Sequence, residues 1–173
     1  MEREPIPWAS TVAFILFLFG ALTDWMDGWL ARKMGQVSDF GKFMDALVDK
    51  IFTMGLFVSL LTLGIVGLWA LFPVLLILSR EFLITGLRLV AAAQGKTLAA
   101  ENAGKIKTGF QIACISFFLG HVAIVNDFSG MKPLETFQNL ASIFQTAGQV
   151  CLIIACVLTV ISGSIYLYKY WNF

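Results

Sequence analysis

From Ile51 to Ser79 the chain carries no charged side chain. A bilayer core about 30 Å thick takes roughly 20 helical residues to cross, so this run is too long for one upright span. The segment LGIVGLW, Leu63–Trp69, places two glycines within it. Read as a turn, it divides the run into a hairpin of two helices, over residues 40–64 and 68–93. Apolar stretches bounded by charge predict a helix from Trp8 toward Arg32, one over 101–125 and a last one over 137–169. The expected fold class is all-α: a polytopic membrane helix bundle with five transmembrane helices. Nothing resembling a soluble-domain linker, a repeat or a low-complexity tract separates them, so residues 1–173 are expected to form a single membrane-embedded domain.

Composition agrees. Only 13% of the residues are charged and 58% are hydrophobic, whereas a soluble domain carries about 25% charged residues. The partner is therefore a lipid bilayer. A net charge of +1 says nothing about nucleic acid, because the distribution of charge matters more than its sum; no nucleic-acid partner is expected. The start, MEREPIPW, lacks a basic region followed by a short apolar run and a small-residue cleavage site, so no cleavable signal peptide is expected. Cys114, Cys151 and Cys156 lie in apolar segments and read as small packing residues rather than disulfides or metal ligands.

Basic residues fall unevenly on the helix ends. Arg32, Lys33, Lys42, Lys50, Arg80, Arg88, Lys96, Lys105, Lys107 and Lys169 lie at or toward one set of ends, and only Arg3 and Lys132 at the other. The positive-inside rule then puts the N-terminus outside and the C-terminus in the cytoplasm. Trp8 and Trp69 fit an outer aromatic belt; Trp171 with Tyr166, Tyr168 and Tyr170 fits an inner one. Counting roughly 20 residues inward from each outer helix end arrives beside Asp24 and Asp27, Asp45 and Asp49, Arg88, and Lys105 and Lys107. Arg80 and Glu81 lie about 12 Å deeper at the 1.5 Å rise of a helix. Charges at membrane depth are costly and usually face a polar cavity, so one shared cavity at the cytoplasmic level is the economical expectation.

Five of the chain's carboxylates crowd into Thr23–Lys50: Asp24, Asp27, Asp39, Asp45 and Asp49. Asp24 and Asp27 are three residues apart on the first helix, and Asp45 and Asp49 four apart on the second. Both spacings set a pair of carboxylates on one helical face. Two facing pairs would repel unless a cation lay between them. Oxygen-only ligands suit Mg²⁺ or Mn²⁺ rather than zinc, and four carboxylates can hold two such ions around a phosphoryl group. The bland alternative is a solvated acidic cluster paired with Arg32, Lys42 and Lys50. Gly28 follows Asp27, and Gly41 lies one turn before Asp45; each invites close approach by a ligand or, equally, by a neighbouring helix. Arg32 could fork onto a diphosphate or serve only as a positive-inside arginine. Asp39 reads as a loop or cap residue, with Ser38 able to cap the second helix. His121 falls near the outer end of its helix and reads as an interface residue.

These residues form the pattern D-x2-D-G-x2-A-R-x8-G-x3-D-x3-D, through Asp24, Asp27, Gly28, Ala31, Arg32, Gly41, Asp45 and Asp49. The pattern resembles, with no spacing error, the signature of the CDP-alcohol phosphotransferase family. Further along, SREFLITGLRL (Ser79–Leu89), GKIKT (Gly104–Thr108) and ISGSIYLYK (Ile161–Lys169) are similar to the bacterial phosphatidylglycerophosphate synthases of that family. The resemblance thus extends over almost the whole chain from Trp8 onward.

The resemblance implies a bacterial enzyme of phospholipid biosynthesis, a multi-pass protein of the inner membrane with its site facing the cytoplasm. It implies transfer of the phosphatidyl group from CDP-diacylglycerol to glycerol 3-phosphate, with release of CMP, and a homodimer. By the same analogy Asp24, Asp27, Asp45 and Asp49 bind two Mg²⁺ or Mn²⁺ ions, and Asp49 is also the catalytic base. Gly28, Ala31, Arg32 and Gly41 line the CDP site. Arg80, Arg88, Lys105 and Lys107 offer cations for the acceptor's phosphate, against the alternative of pairing with Glu81 and Glu101. Two departures from the family stand out. Ala46 stands where a proline is usual, with only a local effect expected. More consequentially, the first of the family's usual six helices is expected to be missing ahead of Trp8, either because the chain is truncated at its start or because the protein dispenses with a helix that helps wall the site. The competing expectations are a different acceptor (phosphatidylglycerol, serine or an inositol phosphate) and a non-catalytic membrane metal-binding protein.

Overall fold

A computed structural model describes residues 7–34, 39–95, 102–128 and 134–170. Within its helices the side chains of 25, 27–34, 39–43, 45, 46, 49, 102–105 and 134 lie outside that description. The described residues form five α-helices: α1 (Ala9–Met34), α2 (Asp39–Thr62), α3 (Leu71–Ala93), α4 (Asn102–Asp127) and α5 (Leu134–Lys169), with a 3-10 turn at Leu68–Ala70 leading into α3. The predicted all-α bundle is found.

Among the described residues three stretches are long and apolar enough to cross a membrane: Leu68–Ala93, Ile106–Asp127 and Glu135–Lys169. In α1 and α2 the described residues carry shorter apolar stretches, Ala9–Asp24 and Lys50–Thr62. Large apolar side chains are correspondingly exposed on every helix, among them Phe19, Phe52, Phe72, Ile106 and Ile143. In water such a surface would drive association; lipid is the solvent that suits it.

The turn at LGIVGLW forms as the glycines predict. Gly64 takes a left-handed backbone, φ +68°. Its N–H donates to the Leu61 carbonyl at 3.1 Å, and the Ile65 N–H donates to Leu60 at 3.1 Å. This pair of bonds ends a helix by satisfying carbonyls that have no partner within it, and a glycine carries no Cβ penalty there.

The chain divides into two compact units, Met1–Leu56 with Ile115–Gly148, and Phe57–Cys114 with Gln149–Phe173; the division falls within α2, α4 and α5. In the first unit, α4 and α5 interlock through glycine. A Cβ on Gly120 would lie 2.6 Å from the Phe144 ring, and one on Gly148 would lie 2.9 Å from the Phe118 ring. Small residues of this kind let membrane helices approach closely where no hydrophobic effect drives them together. At one end of this unit α1 is tied to α4: Asp127 Oδ2 accepts from the Thr11 N–H at 2.7 Å and from the Thr11 hydroxyl at 2.6 Å. A carboxylate from another helix thus caps the first turn of α1, where a negative charge is favoured. Trp8 sets its ring edge-on to Phe128, with centroids 5.3 Å apart. His121 donates from Nδ1 to the Ala141 carbonyl of α5 at 2.8 Å, so it is a helix–helix contact, as expected of an interface residue.

In the second unit Phe57, Leu60, Val74, Ile77, Leu152 and Ala155 are buried. Polar side chains are buried with them: Lys107, Gln111, Thr159 and Ser162. Cys114 is also buried, while Cys151 and Cys156 are half-buried.

Candidate functional site

All four paired aspartates fall within helices of the first unit, Asp24 and Asp27 on α1, Asp45 and Asp49 on α2. Because these segments are helical, each pair occupies one face of its helix. Gly28, Ala31 and Arg32 follow on α1, and Gly41 precedes the second pair on α2. Asp39 opens α2 rather than lying ahead of it; Ser38, its expected cap, lies outside the described residues. Of the eight signature positions Asp24 alone has a described side chain, and it is exposed. Contacts at Asp27, Gly28, Ala31, Arg32, Gly41, Asp45 and Asp49 lie outside the described residues. Among the described side chains no group of three or more His, Cys, Asp and Glu gathers. The donor set itself fits a hard divalent cation: four carboxylates in two helical pairs, and no soft ligand in the pattern.

The predicted cations belong to the second unit. Glu81, adjacent to Arg80 on α3, organises two of them. Its Oε1 accepts from Arg80 Nη1 at 3.3 Å and from Lys107 Nζ on α4. The Lys107 side chain is 2% exposed, against 15% for Arg80 and 21% for Glu81. Arg80 Nη2 donates to the Ser162 hydroxyl on α5 at 3.2 Å. Arg80 Nε is buried and has no partner among the described residues. Space for Arg80 comes from Gly163, where a Cβ would sit 3.1 Å from Arg80 Cγ.

About two turns closer to the expected cytoplasmic end, Arg88 Nε donates to the Tyr166 hydroxyl at 3.4 Å, and its guanidinium carbon lies 5.6 Å from the centre of that ring. Tyr166 is 1% exposed. It is therefore not the lipid-facing belt residue that the sequence predicts; Tyr168, 89% exposed, does face outward. The physical reason is Arg88. A buried phenol needs a polar partner, and an arginine at this depth gains from a hydroxyl and a ring face. The side chain of Lys105 lies outside the described residues.

Sequence reasoning missed Ser162, Gly163 and Tyr166 as partners of the arginines, although all three stand in the ISGSIYLYK stretch. Their spacing was the available signal: Ser162 and Tyr166 are four residues apart, on one face of α5. Glu81 was seen only as a competitor for the cations, not as the residue that joins two of them.

Apolar helices long enough for a bilayer, with carboxylates in paired register on α1 and α2, define a polytopic helical membrane protein with a polar site. The sequence pattern of the CDP-alcohol phosphatidyltransferase family matches residues 6–161, and the chain belongs to that family. It is 38% identical over 173 residues to the CDP-diacylglycerol–glycerol-3-phosphate 3-phosphatidyltransferase of Bacillus subtilis, an alignment covering 98% of this chain and 78% of the relative. The enzyme of the same name from Escherichia coli K12 is 32% identical over 129 residues, 73% of this chain and 70% of the relative. A rice protein named cardiolipin synthase (CMP-forming) is 32% identical over 177 residues, 96% of this chain and 50% of the relative. Members of the family are generally dependent on a divalent metal.

Proposed function

We infer that this chain is a phosphatidyltransferase that moves the phosphatidyl group of CDP-diacylglycerol to glycerol 3-phosphate and releases CMP. The observation that carries the reading is the register of the aspartates: the complete family signature falls on α1 and α2, with each acid pair on a helical segment. The likeness to the Bacillus subtilis enzyme over 98% of the chain supports the acceptor.

In this reading Asp24, Asp27, Asp45 and Asp49 hold Mg²⁺ or Mn²⁺, with two ions matching the four carboxylates. When bound, the metal supplies charge neutralisation between the carboxylates and the donor diphosphate, and Lewis-acid polarisation of the phosphoryl oxygens. Gly28, Ala31, Arg32 and Gly41 receive the cytidine diphosphate, Arg32 by forking onto phosphate oxygens. The free hydroxyl oxygen of the acceptor bonds to the phosphorus that bears diacylglycerol, and the bond from that phosphorus to the bridging oxygen of CMP breaks. Asp49 takes the hydroxyl proton as general base. Arg80, Arg88, Lys105 and Lys107 serve the acceptor phosphate, since a phosphate monoester rewards a cluster of cations as an uncharged alcohol does not. The chain works as one domain, as a homodimer in the bacterial inner membrane, with this chemistry on the cytoplasmic side; the excess of Lys and Arg at that set of helix ends supports the orientation.

The test is CMP release by the purified full chain, in detergent or liposomes, from CDP-diacylglycerol with glycerol 3-phosphate. Turnover should need a divalent metal and vanish on chelation. No turnover with any alcohol acceptor would refute the reading. A second reading takes phosphatidylglycerol as acceptor, favoured by the likeness to the rice cardiolipin synthase. Turnover with phosphatidylglycerol in place of glycerol 3-phosphate would select it.

A further inference from the structure

We propose that Glu81 is a positioning residue for the acceptor's phosphate: it holds Lys107 and Arg80 together before substrate arrives and sets the net charge that the phosphate meets. The proposal rests on the acceptor reading above and concerns how the same cations are made ready.

The starting point is the cost of Lys107. Its side chain is almost fully removed from solvent, and a charge so placed is costly unless it is paired and hydrogen-bonded. The second unit is poor in such acceptors. Residues 57–114 and 149–173 contain two acidic residues, Glu81 and Glu101, and Glu81 accepts from Lys107. A single carboxylate oxygen of Glu81 is shared between Lys107 on α4 and Arg80 on α3. The shared oxygen brings two cations from different helices to one point, which neither helix could do alone against their mutual repulsion. Arg80 is fixed from the far side by Ser162, and Gly163 leaves its aliphatic stem room. The guanidinium is thereby held with Nε still unpartnered among the described residues.

Charge gives the second half of the inference. Glu81 offsets part of the positive charge of Arg80 and Lys107, so the two cations can stand side by side before a phosphate arrives. Binding to cations already held in place avoids the ordering cost that free lysine and arginine side chains would otherwise add.

The experiment compares Glu81→Gln, Lys107→Met and the double variant in the purified full-length enzyme, with initial rates measured against glycerol 3-phosphate and CDP-diacylglycerol in turn. Glu81→Gln keeps the shape and removes the charge. Its expected effect is an acceptor KM raised about tenfold, equivalent to about 1.4 kcal/mol, with kcat and the donor KM changed less than about twofold. In the double variant the acceptor KM should exceed that of Lys107→Met by clearly less than the roughly tenfold expected of Glu81→Gln, because part of the effect of Glu81 passes through Lys107 and the rest through Arg80. Should Glu81→Gln fail to fold, the double variant, which removes both buried charges together, keeps the comparison with Lys107→Met available. An unchanged acceptor KM in Glu81→Gln, an equal rise in both KM values, or a double variant showing the sum of two separate losses would overturn the proposal. Failure of the wild-type chain to use glycerol 3-phosphate at all would instead sink the acceptor reading on which it rests.

Discussion

Replacing Gly163 by alanine should separate stability from acceptor binding. The added Cβ would lie 3.1 Å from Arg80 Cγ and 3.7 Å from Arg80 Nε, the first short of the 3.4 Å at which ordinary contact begins. Arg80 must therefore retreat by about 0.3 Å or more, the difference between those two distances. Its bonds to Glu81 and Ser162 are already long, at 3.3 and 3.2 Å, and a retreat of that size stretches at least one of them beyond useful reach. A hydrogen bond to a charged group contributes about 1.5–3 kcal/mol. Because the side chain is 15% exposed and the bond is weakened rather than removed, the loss falls just below that range, at about 1.4 kcal/mol, or a tenfold rise in acceptor KM. Alanine also favours a helix over glycine by about 0.5–1 kcal/mol, which offsets much of that loss, so thermal stability in detergent should fall only slightly. The assay is the acceptor and donor KM of Gly163→Ala beside its melting temperature. An unchanged acceptor KM, or an equal rise for CDP-diacylglycerol, would refute the claim that Gly163 acts by making room for Arg80.

Other outcomes follow from single contacts. Asp49→Asn should keep metal and nucleotide binding while CMP release falls by about 100-fold or more, the usual contribution of a positioned base; near-normal turnover would remove Asp49 from that role. Asp127→Ala takes away both bonds to Thr11 and should cost about 1.5–3 kcal/mol, read as earlier thermal unfolding with the acceptor KM unchanged. Gly64→Ala forces a side chain into the left-handed backbone at φ +68° and should destabilise by about 1–2 kcal/mol, measurable by the same unfolding assay.

The five helices were legible because charge and glycine mark their ends. The predicted 40–64 is observed as Asp39–Thr62, and the predicted 101–125 as Asn102–Asp127. The hairpin at Leu63–Trp69 needed only two glycines and a long apolar run. The aspartates were equally legible, since three- and four-residue spacing states its meaning once a segment is helical.

Facing was a different matter. In a soluble helix the polar side points to water, and the sequence reveals the buried stripe. Helices α3, α4 and α5 are apolar nearly all round, so the pattern gives no direction. Only packing shows that Lys107, Gln111, Cys114 and Phe118 form the inward stripe of α4, and that Thr159, Ser162 and Tyr166 continue that of α5. For the same reason Tyr166 read as a belt residue, because a tyrosine near a helix end suits either lipid headgroups or an arginine on another helix, and which neighbour it meets is a long-range fact. The sequence thus determined which helices form and which ionisable side chains stand in register on them. The tertiary structure decided that Glu81 meets both Lys107 and Arg80, since a contact made between helices depends on how they rotate and pack, and apolar surfaces on every side leave that rotation to shape alone.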